Sequence, residues 1–139
     1  MLFRSLPSDI KYNGVSLKQV QETRYVVFLL DFKLSWKAHN DLVSGKVSRG
    51  VVMLRCLSNV LPLKVLMSLY HTLIASYINY GCLIWASNFQ SNYRRVQVQQ
   101  NKAIRILGNY DRGSASTVSI YKKFDILDVG KIKDMQIGI

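Results

Sequence analysis

The stretch DFKLSWKAHN, residues 31–40, brings Asp31, Trp36 and one of only two histidines, His39, into a single span. An acid and an imidazole this close could share a proton in general acid–base work, or begin a metal site. Either chemistry needs further groups. A general base must have a nucleophile or substrate to serve, and no Ser, Cys or Asp motif surrounds His39. It therefore reads as a hydrogen-bonding histidine at a helix start, and His71 reads likewise. The eight acids are scattered, and the closest pair, Asp125 and Asp128, has no third acid or Gly-rich turn nearby. Cys56 and Cys82 lack the CxxC spacing of a zinc half-site. With no nucleophile, metal cluster or phosphate loop, no catalytic residue and no metal ligand is assigned, and an independent enzyme is the least favoured class.

The chain of 139 residues is long enough for one domain with a real core, and 49% apolar against 19% charged residues argues against disorder. Nineteen Lys and Arg against eight acids leave +11, which points to an anionic partner such as nucleic acid or an acidic membrane surface. Solvated faces on a basic domain are the plainer alternative. The charge is uneven, since Val65 to Tyr93 contains no Lys, Arg, Asp or Glu. About twenty apolar residues could span a membrane, but Ser68, Thr72, Ser76 and Asn79 recur along one helical face. A buried helix is expected, with no membrane role. The start, MLFRSLPSDI, lacks a secretory apolar run, so an intracellular protein, cytoplasmic or nuclear, with two buried thiols is the expectation.

The elements that would position these residues follow from pattern. IKYNGVSLKQV alternates around Asn13-Gly14, the dipeptide of a type I′ hairpin. RYVVFLLD is β-branched and apolar, as for a strand covered on both faces. Ser35 then suits an N-cap, and Trp36, Val43, Val47, Gly50, Val51, Leu54 and Leu57 keep helical spacing over about 36–58. Gly45 and Gly50 each cost that helix about 1 kcal/mol relative to Ala, with close backbone approach at Gly50 as compensation. Pro62 opens a second helix reaching about Tyr80. Ser91 caps a third, with Tyr93, Val96, Gln100, Ala103 and Leu107 on its stripe and Gly108 as the stop. NYDRGSAST is linker, and the remainder reads as a short helix or hook plus an unfinished segment.

One ordered series carries a resemblance: Tyr25 through Asp31, Leu34-Ser35-Trp36, His39, Lys46 to Arg49, Leu61-Pro62, Tyr70, Leu73-Ile74, Tyr80-Gly81, Trp85 and Gln100 to Arg105. It resembles the part of jockey-like non-LTR retrotransposon reverse transcriptases that follows the polymerase palm, over roughly residues 10–107, with a weaker echo in IYKKFDILDV. The resemblance implies a primer-grip hairpin up to Asp31 and thumb helices after it. The implied fold is mainly α, with an N-terminal β-hairpin or meander, a three-helix thumb-like bundle and a loose C-terminal tail. The implied divisions are a hairpin region, 1–34, a thumb-like region, 35–108, and a linker with C-terminal extension, 109–139.

Such polymerases use metal ions, here expected to be Mg, held by palm carboxylates that include a Tyr-x-Asp-Asp turn. No such turn occurs in this sequence, so the chain is expected to need no cofactor and to hold a duplex without extending it. Its expected partners are an RNA/DNA or DNA duplex and the missing palm and fingers. Lys33, Lys37, Lys46 and Arg49 around the first helix, and Arg94, Arg95, Lys102 and Arg105 on the third, are the candidate phosphate contacts. Tyr12, Tyr25 or Tyr93 could stack on bases or sugars. Asp31, Trp36, His39, Tyr80, Gly81 and Trp85 are read as structural. Four positions depart from the family: Val27 for a usual glycine, Asn40 and Gln99 for apolar residues, and Ser76 for a proline. They suggest a truncated or decaying reading frame, and the alternative function is an interaction remnant with no nucleic-acid role.

Overall fold

The computed structural model describes residues 10–26, 28–31, 33–80, 82–86, 90–110 and 113–138, without the side chains of 83, 84 and 90–92. The expectations at Val27 and Gly81 fall outside the described residues. The class is the expected one: two small antiparallel hairpins followed by helices.

β1 (Ile10–Tyr12) pairs with β2 (Val15–Leu17), Tyr12 opposite Val15. Asn13 and Gly14 take φ of 48° and 79°, as a two-residue primed turn requires. The next segment corrects the single-strand expectation. RYVVFLLD reverses on itself, so that β3 (Glu22–Tyr25) pairs with β4 (Phe28–Asp31), Tyr25 opposite Phe28. Neither strand is covered on both faces, for β3 is exposed and β4 half-buried. Val26 holds φ of 56°, a conformation that a β-branched residue resists, which is why the sequence carries no turn signal there.

Helix α1 (Lys37–Leu57) begins one residue later than expected, with Trp36 at the N-cap position, while the Ser35 hydroxyl accepts from the Lys37 amide (3.4 Å). Leu34 and Trp36 both have positive φ, 49° and 62°, so the chain is still in a loop at Trp36. The Asp31 carboxylate organises that loop. Its Oδ2 accepts from the Ser35 hydroxyl (2.8 Å) and amide (3.2 Å), and its Oδ1 accepts from the Trp36 amide (3.2 Å). Along α1 the buried face is Val43, Val47, Gly50, Val51 and Leu54 of the predicted stripe, with His39 and Asn40 added, while Trp36 and Leu57 are half-buried.

Pro62 precedes α2 (Leu63–Tyr70), which passes into a π-helical turn over His71–Ala75 and then α3 (Ser76–Asn79). Leu66, Tyr70, Ile74 and Ile78 form its buried face. The polar face satisfies itself: the hydroxyls of Ser68, Thr72 and Ser76 donate to the carbonyls of Lys64, Ser68 and Thr72. Gly50 lets α1 cross this segment closely, since a Cβ there would lie 2.9 Å from Ile74 Cγ1 and 3.1 Å from the Leu73 carbonyl oxygen. No helix among the described residues is long and apolar enough to cross a membrane.

After the short α4 (Cys82–Trp85), α5 (Gln90–Gly108) makes the largest helix contact, with α1. Ser91 stands inside its first turn, and that side chain lies outside the described residues. At its C-terminus Asn109 takes φ of 54°, and the amides of Asn109 and Tyr110 donate to Ile106 and Arg105, a Schellman closure.

The C-terminal extension differs from a loose tail. It forms α6 (Thr117–Phe124) and α7 (Val129–Ile137), and it buries Ile120, Tyr121, Ile126, Val129 and Ile132. A polar network fixes it to α5. Gln100 is 1% exposed, and its Nε2 donates to Tyr70 Oη (3.0 Å) and the Leu127 carbonyl (2.9 Å). Gln97 Oε1 accepts from the Val129 amide (2.9 Å), while its Nε2 lies 3.0 Å from Asn101 Oδ1 and 2.9 Å from Tyr121 Oη. The tail looked loose because these anchors are glutamines and backbone groups, which apolar periodicity does not register.

Candidate nucleic-acid interface

The opening stretch resolves into architecture. His39 is 2% exposed, and its Nδ1 accepts from the Leu29 amide of β4 (3.3 Å). Phe28, Trp36 and Trp85 surround the imidazole with ring centroids at 5.3, 6.2 and 6.2 Å. Tyr80 packs on Phe28 at 5.4 Å, and its carbonyl accepts from Trp85 Nε1 (3.0 Å). Burial holds the His39 pKa below the ordinary value. For Asp31, partial burial pushes the carboxyl up, but the hydrogen bonds from Ser35 and Trp36 outweigh it and leave the pKa lowered. The cluster joins β4 to α1 and α4.

The thiols follow the same logic in part. Cys82 is buried, its Sγ 3.8 Å from the Val129 carbonyl, and burial pushes it up to about 11. Cys56, expected to be buried, is exposed on α1. Among the described residues no group of three His, Cys, Asp or Glu could hold a metal.

The basic residues divide between two sides of α1. Arg95 Nη1 meets Asp41 Oδ1 at 2.8 Å near the start of α1 and α5, while Arg55 and Ser58 share a cleft with Arg105 and Asn109 near their ends. The two helices therefore run in the same direction. Their groove holds one cleft of about 430 Å³ lined by Ser44, Arg94, Arg95, Val98 and Gln99. A second, of about 520 Å³, is lined by Arg55, Ser58, Val98, Asn101, Lys102, Arg105, Ile106, Asn109 and Tyr110. Among the described residues, neither lining contains an acid. Arg94, Arg95, Lys102 and Arg105 thus share one groove.

Lys46 does not join them. Its Nζ lies 4.9 Å over the Tyr77 ring of α3, on another side of α1, and Arg49 is exposed away from both clefts. Lys33 and Lys37 are exposed at the entry to α1. Of the tyrosines, Tyr12 and Tyr25 are exposed, while Tyr93 is half-buried with Lys133 Nζ 5.9 Å from its ring.

Arg55 and Tyr110 are among the groove residues missed from the sequence. Arg55 follows Ser44 and Ser48 on one face of α1, a helical series that identifies it once α5 is known to pack there. Tyr110 carried no such signal, because it reaches the cleft only through the chain reversal at Asn109. Gln99, an expected departure from an apolar position, faces the groove, so its polarity costs little. Asn40 is different: it is 3% exposed, and neither its Oδ1 nor its Nδ2 has a hydrogen-bond partner among the described residues.

No family model matches the chain, and no solved structure does. Two curated sequences from Drosophila melanogaster are similar. The "Probable RNA-directed DNA polymerase from transposon BS" is 31% identical over 113 residues, 77% of this chain. The "Probable RNA-directed DNA polymerase from transposon X-element" is 29% identical over 110 residues, 76% of this chain. The chain spans 12% of the length of either relative.

Proposed function

We propose, for a chain related over 77% of its length to transposon RNA-directed DNA polymerases, that it is the thumb-like piece of a non-LTR, jockey-like reverse transcriptase and that its α1–α5 groove holds the backbone of a nucleic-acid duplex. The observation that carries this reading is the groove itself, where Arg55, Arg94, Arg95, Lys102 and Arg105 meet, with Asp41 paired to Arg95 at one end. Such contacts position a backbone without reading sequence and weaken as salt rises. The chemistry of nucleotide addition belongs to carboxylates that this sequence does not supply. On this reading the chain contributes grip, and Mg is required only by the polymerase centre of the larger enzyme.

The test compares two double substitutions in the full chain, with an RNA/DNA hybrid as ligand. Arg94→Gln with Lys102→Gln removes two groove cations, and the expected loss is about 60-fold at 0.1 M salt, from about one released ion per contact. Lys46→Gln with Arg49→Gln removes the same charge from other faces of α1, with a much smaller expected loss. Equal losses for the two pairs would mean a diffuse field, not a groove.

A second reading, an interaction remnant with no nucleic-acid role, is favoured by the first hairpin. Its register places Ile10, Tyr12, Val15 and Leu17 on one face, and all four are exposed. Concentration-dependent self-association without any hybrid binding would favour that reading.

A further inference from the structure

The second cleft differs from the rest of the groove because cations from two helices meet there beside a neutral donor. Arg55 comes from α1, and Lys102 and Arg105 from α5. Basic residues in a last helical turn offset that helix's own dipole, and each of the two arginines does so where it stands. That effect does not require the arginines of separate helices to face one cleft.

Asn101 supplies the second, independent observation. The Val129 amide must donate to Gln97 Oε1, so the nitrogen of Gln97 faces Asn101. Asn101 must then turn its oxygen inward, where it also accepts from Tyr121 Oη at 2.8 Å. The group left for the cleft is the amide nitrogen, a donor. Its direction is set by the Tyr121 hydroxyl and, through Gln97, by the Val129 amide of the docked C-terminal extension, so the cleft is preorganised before any ligand arrives.

We infer that this cleft is an anchoring subsite for one backbone phosphate of a nucleic-acid strand, with Arg55 as the cation that α1 contributes and Asn101 as a positioned neutral donor. The inference rests on the groove reading proposed above. A volume of about 520 Å³ accommodates a phosphate with its sugar, being within the usual range of small-ligand sites. Tyr110 lies at the rim, its ring packed over Gly108 and its hydroxyl accepting from Lys123 Nζ at 3.1 Å. The ring face is therefore held at the cleft by a further cation.

Two measurements on the full chain test it. In fluorescence-anisotropy titrations of an RNA/DNA hybrid, Arg55→Gln is expected to weaken binding about eightfold at 0.1 M salt and to lower the log–log salt slope by about 0.9, one contact's share. Arg49→Gln, with the same charge change on the same helix, is expected to leave the slope as it is. Thermal unfolding by circular dichroism confirms that both exposed substitutions leave the fold intact. Separately, inorganic phosphate titrated into ¹⁵N-labelled chain is expected to shift the Asn101 side-chain amide resonances. Hybrid binding that Arg55→Gln and Arg49→Gln weaken alike, or that persists while phosphate leaves Asn101 unmoved, overturns the cleft assignment and spares the groove. Failure of the unsubstituted chain to bind the hybrid at low salt overturns both, whether or not free phosphate reaches Asn101.

Discussion

Two glycines of the same helix should respond to the same substitution with opposite signs. Gly45 and Gly50 both lie inside α1, and each forgoes about 1 kcal/mol of helix propensity relative to alanine. At Gly45 an added Cβ meets nothing within 4 Å. Gly45→Ala should therefore stabilise the chain by about 1 kcal/mol. At Gly50 the same methyl would stand 2.9 Å from Ile74 Cγ1, 3.1 Å from the Leu73 carbonyl oxygen and 3.3 Å from Leu73 Cβ. A rotamer change could relieve the first contact but not the second, which is backbone. Overpacking of this kind costs about 1–3 kcal/mol, so Gly50→Ala should be destabilising by about 1 kcal/mol after the propensity gain. Urea unfolding followed by circular dichroism reads both, with m-values checked for constancy. If the two variants are stabilised equally, α1 does not cross the π-helical turn at Gly50 as described, and the placement of the groove is wrong with it.

Other outcomes follow from buried polar groups. Asn40→Leu removes an amide buried without a partner among the described residues, and urea unfolding should show a gain of about 1–3 kcal/mol. Gln100→Ala should cost about 2–4 kcal/mol, because it strands the Leu127 carbonyl and the Tyr70 hydroxyl. It should also raise amide exchange first in α6 and α7. Stability should fall with acid in two stages. His39 has a folded pKa lowered from 6.5, so the unfolded state takes up its proton first and stability is lost as pH falls below about 6.5. Asp31, lowered from 3.8, adds a second loss below that value. His39→Gln should flatten the first stage in denaturation curves taken between pH 7.5 and 5.

The helical stripes were legible because burial follows spacing: Val43, Val47 and Leu54, or Val96, Ala103 and Leu107, are where a 3.6-residue period places them. Asn13-Gly14 was legible because its turn needs those residues. Val26 was not, since a β-branched residue at positive φ carries the opposite signal. Trp36 hid the helix start for a related reason, taking a left-handed conformation while Asp31 held the loop before it through the Ser35 and Trp36 amides. The C-terminal helices were obscured because their anchors, Gln97 and Gln100, are polar. Of the candidate site, the number of cations was visible in the sequence but not which face each occupies. That depends on the parallel packing of α1 and α5, a long-range fact that separates Lys46 from Lys102 and brings in Arg55.

The most direct test of the central claim is the affinity of the folded chain for a short RNA/DNA hybrid across a salt series. With Arg95 partly committed to Asp41, Arg55, Arg94 and Lys102 are the groove cations on which the prediction is counted. Binding at low salt with a log–log slope of about −2 to −3 is the predicted result. A chain that is helical, soluble and monomeric yet shows no hybrid binding even at the lowest salt would contradict the account.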